Sequence, residues 1–349
     1  MQAVCGGKVV ARVMMYGERQ LIDRIAAACR RDDDAALLRA IGDDCAVLAP
    51  AAGSRLLLSV DTLVEGVHFD LGWHPPRLLG RKAAAVNISD IAAMAGEPRY
   101  ALLSLSLPAA IPEGEVDELL AGFLEALARW RVALIGGDTV ASPAGMSLTV
   151  TIIGECRAHD PVYRSGARPG DTVLVGGPLG LAAAGLEICR AGGRDDPAYG
   201  ELCRAHLDPT PQVELGLVLG ASGVVAAMQD ISDGLATDLA HICRQSGVGA
   251  VVEAGLLPVH PQLAAYAALR GISPLEWMLS GGEDYRLLCT CAAEAVPGLV
   301  ALAREKCGCE LYPVGGIVAG AGVRLENGDG GREIGFSGYD HFRTRPGKG

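Results

Sequence analysis

The stretch Ala226-Ala227-Met228-Gln229-Asp230-Ile231-Ser232-Asp233-Gly234 decides how this chain is read. An apolar run stops at two carboxylates, a hydroxyl and a glycine, the pattern of a strand ending in a loop that opens a helix. The helix signal follows directly: Leu235, Leu239, Ile242 and Cys243 recur at spacings of three and four and so share one face. Ser232 or Asp233 is expected to cap the free N–H groups of that helix, and Gly234 lets a bulky ligand approach the backbone. Alone, the stretch reads as a capped helix and nothing more.

Repetition changes that reading. Leu56-Leu57-Leu58-Ser59-Val60 runs into Asp61-Thr62, and Ala83-Ala84-Ala85-Val86 into Asn87-Ile88-Ser89-Asp90. Val132-Ala133-Leu134-Ile135 runs into Gly136-Gly137-Asp138-Thr139, and Ile41-Gly42-Asp43-Asp44 precedes the apolar Cys45-Ala46-Val47-Leu48. Carboxylates at the ends of elements that pack together converge, and converging carboxylates repel unless cations lie between them. The constellation predicts a cluster of hard divalent metals, with magnesium the first choice.

Composition limits what such a cluster serves. At 349 residues, half of them apolar, the chain is long enough for two domains with their own cores. A net charge of −11, with no run of Lys or Arg, argues against nucleic acid and against an anionic membrane surface. That field would also repel a phosphorylated substrate, and metals held by the Asp set reverse it locally. The eleven cysteines are odd in number and form no C-x-x-C pair, so they are expected to be small core residues in a reducing cytoplasm. No segment reaches the roughly 18 apolar residues of a membrane helix. The first 13 residues lack the h-region of a signal peptide.

Along the chain, Glu18 to Arg31 reads as an amphipathic helix with Leu21, Ile22, Ile25 and Cys29 inward. Asp32-Asp33-Asp34 reads as a solvated loop and Asp195-Asp196 as a cap and turn. Pro75 to Ala95 is mainly helical, and Asp90 on its apolar side is costly to bury unless something cationic meets it. Tyr100 to Leu107 and Ser147 to Ile152 alternate as strands with Ser and Thr on the second face, which suits sheet pairing or a subunit interface. Arg157 to Asp171, rich in Pro and Gly, is the best domain boundary. Within it, Arg164 and Arg168 offer guanidiniums beside flexible backbone, a setting for phosphate oxygens or simply a charged linker. No Walker A sequence occurs, so a nucleotide here is held by metals and arginine rather than by a P-loop.

Nine motifs, in order, resemble thiamine-monophosphate kinase: Ile41-Gly-Asp-Asp, Ser59-Val-Asp-Thr-Leu, Gly66-Val-His-Phe, Ala85-Val-Asn-Ile-Ser-Asp, Gly136-Gly-Asp-Thr, Arg164-Ser-Gly-Ala-Arg-Pro-Gly-Asp, Asp230-Ile-Ser-Asp-Gly, Ser280-Gly-Gly-Glu-Asp-Tyr and Gly338-Tyr-Asp-His-Phe. The resemblance spans about Met15 to Phe342. It implies an α/β fold of the α+β type with two α/β domains, the N-terminal one pairing its strands across a homodimer and the C-terminal one beside it. The expected division is a disordered extension at 1–14, a metal- and ATP-binding dimerisation domain at 15–157, a second domain at 158–342 and a loose tail at 343–349. It further implies ATP and thiamine monophosphate as substrates, several magnesium ions, and thiamine diphosphate and ADP as products. Carried over by motif, Asp44, Ser59, Asp61, Asp90, Asp138, Asp230 and Asp233 are metal ligands, with Val60 through its carbonyl. Gly137, Arg164 and Ser232 contact ATP, while His68, Glu283 and Tyr339 contact thiamine monophosphate. Val60 departs from the family, which often carries a hydroxyl residue there.

The chemistry follows without the family. An acceptor phosphate monoester is largely dianionic near neutral pH, with a second pKa of about 6, so no general base is needed. The barrier is the approach of two anions, which bridging metals and an additional positive charge such as Arg164 lower. The resemblance extends to a wider superfamily that includes aminoimidazole ribonucleotide synthetase and shares the Asp-rich part; another ATP-using member of it accounts for the Asp set but not for His68, the Glu283 turn or the terminal motif. A non-catalytic magnesium-nucleotide binder gains nothing from a separate acceptor pocket.

Overall fold

The computed structural model describes residues 18–29, 34–41, 45–157, 159–328 and 330–336. Asp44 and Tyr339 lie outside them, as do Asp32 and Asp33. The first half of the chain runs α1 (Glu18–Ala28), β1 (Leu37–Arg39), β2 (Val47–Leu48), β3 (Arg55–Val64), α2 (Pro76–Ala93), β4 (Glu97–Pro108), α3 (Glu113–Arg129), β5 (Ala133–Ser142) and β6 (Ser147–Cys156). Its main sheet has the order β3-β6-β4-β5, antiparallel except where β5 returns beside β4 after α3. The two strands read from Ser/Thr alternation are its central pair, β4 and β6, each longer than the alternation alone indicated.

The second half contributes β7 (Asp171–Val175), α4 (Leu181–Arg190), α5 (Gly200–Leu207), α6 (Val213–Ser222), β8 (Val225–Ile231), α7 (Leu235–Ser246), β9 (Gly249–Glu253) and α8 (Pro261–Arg270). It closes with α9 (Leu275–Ser280), β10 (Arg286–Ala292), α10 (Val296–Cys307), β11 (Tyr312–Val318), β12 (Gly322–Asn327) and β13 (Gly330–Glu333). Its seven strands order as β13-β12-β9-β11-β7-β10-β8, with only β9 and β12 parallel. Two mixed helix-and-sheet halves of this kind are the α+β type expected from the sequence.

The helix α2 is buried almost all round, from Leu79 through Ala93, and shows no amphipathic stripe because every side of it meets protein. It packs on β3 and β6, on α3, and on α6 of the second half. Glycine makes these crossings close: a Cβ at Gly80 would lie 1.9 Å from the Leu119 carbonyl oxygen, and one at Gly122 1.8 Å from that of Arg77. Gly216 of α6 likewise approaches Ala92, 2.3 Å from its carbonyl oxygen to a built Cβ. Ala93 and Ala95 thereby share one core with Leu215, Leu219, Met228 and Leu287 of the second half.

The far face of the first sheet is open along β3, while the β1–β2 hairpin packs on Tyr100, Leu102 and Ile153. Leu58 and Val60 of β3 are 67% and 57% exposed, and Leu56, Val64 and Val140 share that exposure. Asp34 is not a solvated residue as its run suggested. It caps Ala36 N–H (3.0 Å) and receives the Tyr100 hydroxyl (2.9 Å) and the Arg99 guanidinium (3.0 Å), which tie the β1–β2 hairpin to β4. Ile22 is exposed rather than inward, since it neighbours Leu21 in sequence and so points away from it on the helix.

If the α2–α3 crossing sets the position of α2, Gly122→Ala destabilises the protein by about 1–3 kcal/mol, the usual cost of overpacking. Gly114→Ala, in the same helix with open space around it, is neutral or stabilising by up to about 1 kcal/mol. Urea unfolding midpoints of the two variants against the parent check this.

Candidate active site

Strand parity and one helical turn build the centre of the site. Along β3, Leu57 and Leu63 point inward, which places Ser59 and Asp61 on the side facing α2 and Val60 on the opposite, open face. The Ser59 hydroxyl donates to Asp90 Oδ2 at 2.5 Å, and the Asp61 N–H donates to Asn87 Oδ1 at 2.9 Å. Asn87 is itself fixed by donating to the Ala83 carbonyl at 3.0 Å. On another side of the same turn, the Ser89 hydroxyl donates to Asp230 Oδ2 at 2.6 Å, which joins α2 to the end of β8.

The loop after β8 is held differently from the expectation. The N-cap position of α7 is Gly234, which has no side chain to cap with. Instead Asp238, buried in the first turn of α7, reaches back and accepts from the N–H groups of Ser232 (3.1 Å) and Asp233 (3.0 Å). Its other oxygen accepts from Gln229 at 2.9 Å. The loop between α9 and β10 laces onto this one: Glu283 N–H donates to the Ser232 carbonyl and Tyr285 N–H to that of Ile231, both at 2.8 Å. A Cβ on Gly282 would lie 2.5 Å from the Ser232 oxygen. Asp284 turns away and accepts from Gly180 N–H (2.6 Å) and Ala182 N–H (3.3 Å) at the start of α4.

These contacts place Asp61, Asp90, Asp230 and Asp233, from three segments of both halves, within electrostatic reach of one another. Burial pushes the Asp90 carboxyl up to about 7, reinforced by the charges of Asp230 and Asp61 and opposed by Ser59 and Arg164. Asp61 is raised by burial and by Asp233, with His68 opposing. Asp230 is raised by burial, against the Ser89 hydrogen bond and Arg164. Asp238 is raised well above the usual range by burial, then by Asp230 and Asp233. Tyr285 stays a neutral phenol among them, because its burial and the surrounding carboxylates all disfavour its anion.

The sequence-derived residues divide as follows. Ser59, Asp61, Asp90, Asp230, Asp233 and the Arg164 guanidinium face the cluster, Ser232 lies in the loop beside it, held by its backbone, and His68 stands beside Asp61, its Nδ1 accepting from Val64 N–H at 3.0 Å. The Val60 side chain does not face it. Asp138 does not join it either: its register puts it beside Ser104, in a row with Thr149 and Thr62 on the open face of the sheet. Gly137 approaches β4 so closely that a Cβ would lie 1.9 Å from the Leu103 oxygen. The sequence reading missed Asn87 and Ser89 as clamps, Asp238 as the loop anchor, and Lys82 and His206, which flank Glu283. A lysine inside the run Lys82-Ala83-Ala84-Ala85-Val86 was the visible signal for Lys82.

Among the described residues no three His, Cys, Asp or Glu side chains converge closely enough to hold an ion unaided. The donor set still fits magnesium. That ion takes oxygen ligands and is usually held by one or two carboxylates together with substrate phosphates. Buried carboxylates raised by mutual repulsion are what a cation relieves.

Because the folded pKa of Asp90 lies above its unfolded value, the folded state binds the extra proton between about pH 4 and about 7, and stability falls as pH rises through that window. In EDTA, Asp90→Asn therefore gains melting temperature relative to the parent between pH 5 and pH 8, and added magnesium removes the gain. A pH-independent difference would separate Asp90 from this repulsion.

Family models for AIR synthase related proteins match residues 42–156 (N-terminal domain) and 168–327 (C-terminal domain). The thiamine-monophosphate kinase of Mycobacterium tuberculosis (strain ATCC 25618 / H37Rv) is 38% identical over 286 residues, 82% of this chain and 83% of that protein. The crystal structure of the Stenotrophomonas maltophilia K279a thiamine-monophosphate kinase superposes with a TM-score of 0.79 at 38% identity, covering 88% of this chain and 95% of that one. A structure of AaThiL complexed with AMPPCP and TMP gives a TM-score of 0.71 at 31% identity, covering 93% and 99%. With its fold, its ordered motifs and its relatives in agreement, this chain is an enzyme that belongs to the thiamine-monophosphate kinase family.

Proposed function

We propose that the protein transfers the γ-phosphoryl group of ATP to thiamine monophosphate, giving thiamine diphosphate and ADP, in one in-line displacement assisted by magnesium. The observation that carries this reading is the gathering of Asp61, Asp90, Asp230 and Asp233 from both halves of the chain, with Arg164 the guanidinium that acts on three of the buried acids. Magnesium, when bound, would supply positive charge that neutralises phosphate. Asp61, Asp90, Asp230 and Asp233 would hold it, joined by Asp44, the Ser59 hydroxyl and the Val60 carbonyl. Ser59 and Ser89 fix the directions in which Asp90 and Asp230 present their free oxygens. Arg164 lies against the transferring group, and Gly137 and the Ser232 loop receive the nucleotide. His68, Glu283 and Tyr339 receive thiamine monophosphate. No side chain acts as a base, because the attacking phosphate needs none.

The open apolar face of the first sheet, with Leu58 and Val60 exposed, supports a homodimer formed by pairing that face, and Asp138 would serve a site completed there. We assign 15–157 and 158–342 as the two domains, with 1–14 and 343–349 as flanking segments, in keeping with the family matches at 42–156 and 168–327. A cytoplasmic setting is supported by the cysteines, all free among the described residues. No described helix is long and apolar enough to cross a membrane.

Incubated with ATP, magnesium and thiamine monophosphate, the protein yields thiamine diphosphate; ATP binding without that product would overturn the catalytic reading. Asp230→Asn abolishes turnover while leaving the melting temperature equal or higher, since an asparagine keeps the Ser89 hydrogen bond and removes a repulsive charge. Stereochemical analysis with a chiral γ-phosphate gives inversion, whereas retention would require a phosphoenzyme.

A further inference from the structure

Behind the acidic cleft lies a second charged cluster that the transfer step does not use. Lys82, in the middle of α2, is 0% exposed, and its Nζ lies 2.8 Å from Glu283 Oε1. His206, on α5, is equally buried, and its Nδ1 lies 2.8 Å from Glu283 Oε2. Trp73 and His74 close the pocket around His206, with ring centroids 5.4 and 6.0 Å away. His74 faces the Leu207 carbonyl through Nε2 at 3.2 Å.

The charge count of this cluster is fixed by its surroundings. Burial and the nearby Lys82 ammonium keep both imidazoles neutral. An ionised carboxylate only accepts, so the neutral His206 ring facing it at 2.8 Å carries its proton on Nδ1. Burial alone would raise Glu283, but Lys82 and His206 outweigh it and hold the carboxyl far below its usual range. One ammonium, one carboxylate and two neutral rings sum to zero. The Glu283 backbone is held at a φ of 68°, a left-handed conformation that a glutamate adopts only under constraint, and its N–H is bonded to Ser232. Each carboxylate oxygen thus has a nitrogen 2.8 Å away on its inner side, and the side chain keeps 22% of its surface exposed. Tyr285, two residues on, is disfavoured as an anion first by its burial and then by Glu283, Asp61, Asp230 and Asp90, so Glu283 and the aspartates act on the same phenol.

Thiamine monophosphate offers three recognisable parts: a phosphate, a thiazolium cation and a neutral aminopyrimidine. A carboxylate already neutralised by a buried ammonium attracts a second cation weakly, yet remains a strong acceptor for an N–H. We propose that Lys82 and His206 are positioning residues that present Glu283 as a charge-compensated acceptor for the exocyclic amino group of the aminopyrimidine, rather than as a counter-ion for the thiazolium. The proposal deepens the kinase reading and rests on it.

Steady-state kinetics with thiamine monophosphate and with oxythiamine monophosphate, which carries a carbonyl in place of the amino group, test it. The unmodified protein prefers the amino substrate in kcat/KM by about tenfold to hundredfold, the range for a hydrogen bond to a charged group. Lys82→Met raises KM for thiamine monophosphate, leaves KM for ATP within about twofold, and cuts the amino-to-oxo preference by about tenfold; Lys82→Arg restores part of it. A counter-ion role predicts the reverse, with Lys82→Met lowering KM for both substrates. The first arm needs no variant: equal kcat/KM for the two substrates in the unmodified protein overturns this proposal alone. Absence of any thiamine diphosphate overturns the kinase reading and this proposal with it.

Discussion

One turn of a buried helix fixes the geometry on which the site depends. Asn87, Ser89 and Asp90 stand in an otherwise apolar run of α2, and each is tied to a different neighbour: the β3 backbone, the end of β8 and a β3 hydroxyl. At about 100° per residue, Asn87 and Asp90 share the side facing β3, while Ser89 points toward the second half of the chain. Since α2 is enclosed on every side and its crossings are set by glycine, these three side chains cannot drift. The separation of the aspartates is thus a packing result, decided far from the acids themselves.

Two charge regimes meet in the cleft that α2 borders. On one side, carboxylates outnumber positive groups and are pushed toward protonation, a condition that a divalent ion relieves. On the other, Lys82 Nζ and His206 Nδ1 each lie 2.8 Å from a Glu283 carboxylate oxygen, and the three groups sum to no net charge. An enzyme that brings two polyanions together, as proposed, would benefit from this division. On that proposal metal and nucleotide would complete the overcharged side, and with a net charge of −11 on the chain a local reversal of sign by metal would ease the approach of a phosphorylated substrate.

Local patterns were legible in the sequence; pairings between distant segments were not. The Asp-ended strands announced themselves because an apolar run stopping at acids is a local signal, and the alternation of β4 and β6 gave away the central strands of the sheet. Asp138 looks the same in sequence as Asp61, yet strand register assigns it to the opposite face, and no local rule supplies that register. Asp238 was hidden because a carboxylate three residues into a helix resembles solvent-facing charge until the loop it anchors is seen. His206 sits on α5, a helix of eight residues without a long period to reveal it. The Asp34 run misled for the opposite reason, since acidity on a loop says nothing about whether an arginine and a tyrosine wait beneath it.

The lacing of the two acidic loops carries the argument one step further. Ser232 accepts from Glu283, Ile231 accepts from Tyr285, and Gly234 and Gly282 leave no room for a side chain between the loops: a Cβ at Gly234 would lie 2.9 Å from the Leu279 oxygen. Asp233 and Glu283 therefore move as one body. For the proposed transfer, one of these residues belongs to the phosphate-handling end and the other to the base-reading end of the acceptor. Productive transfer requires reacting atoms aligned to a fraction of an ångström. A substrate seated against Glu283 is then already registered against the acids proposed to hold the metals. Any change that loosens the lacing disturbs both ends together, so selectivity for the acceptor and speed of transfer are properties of one rigid unit.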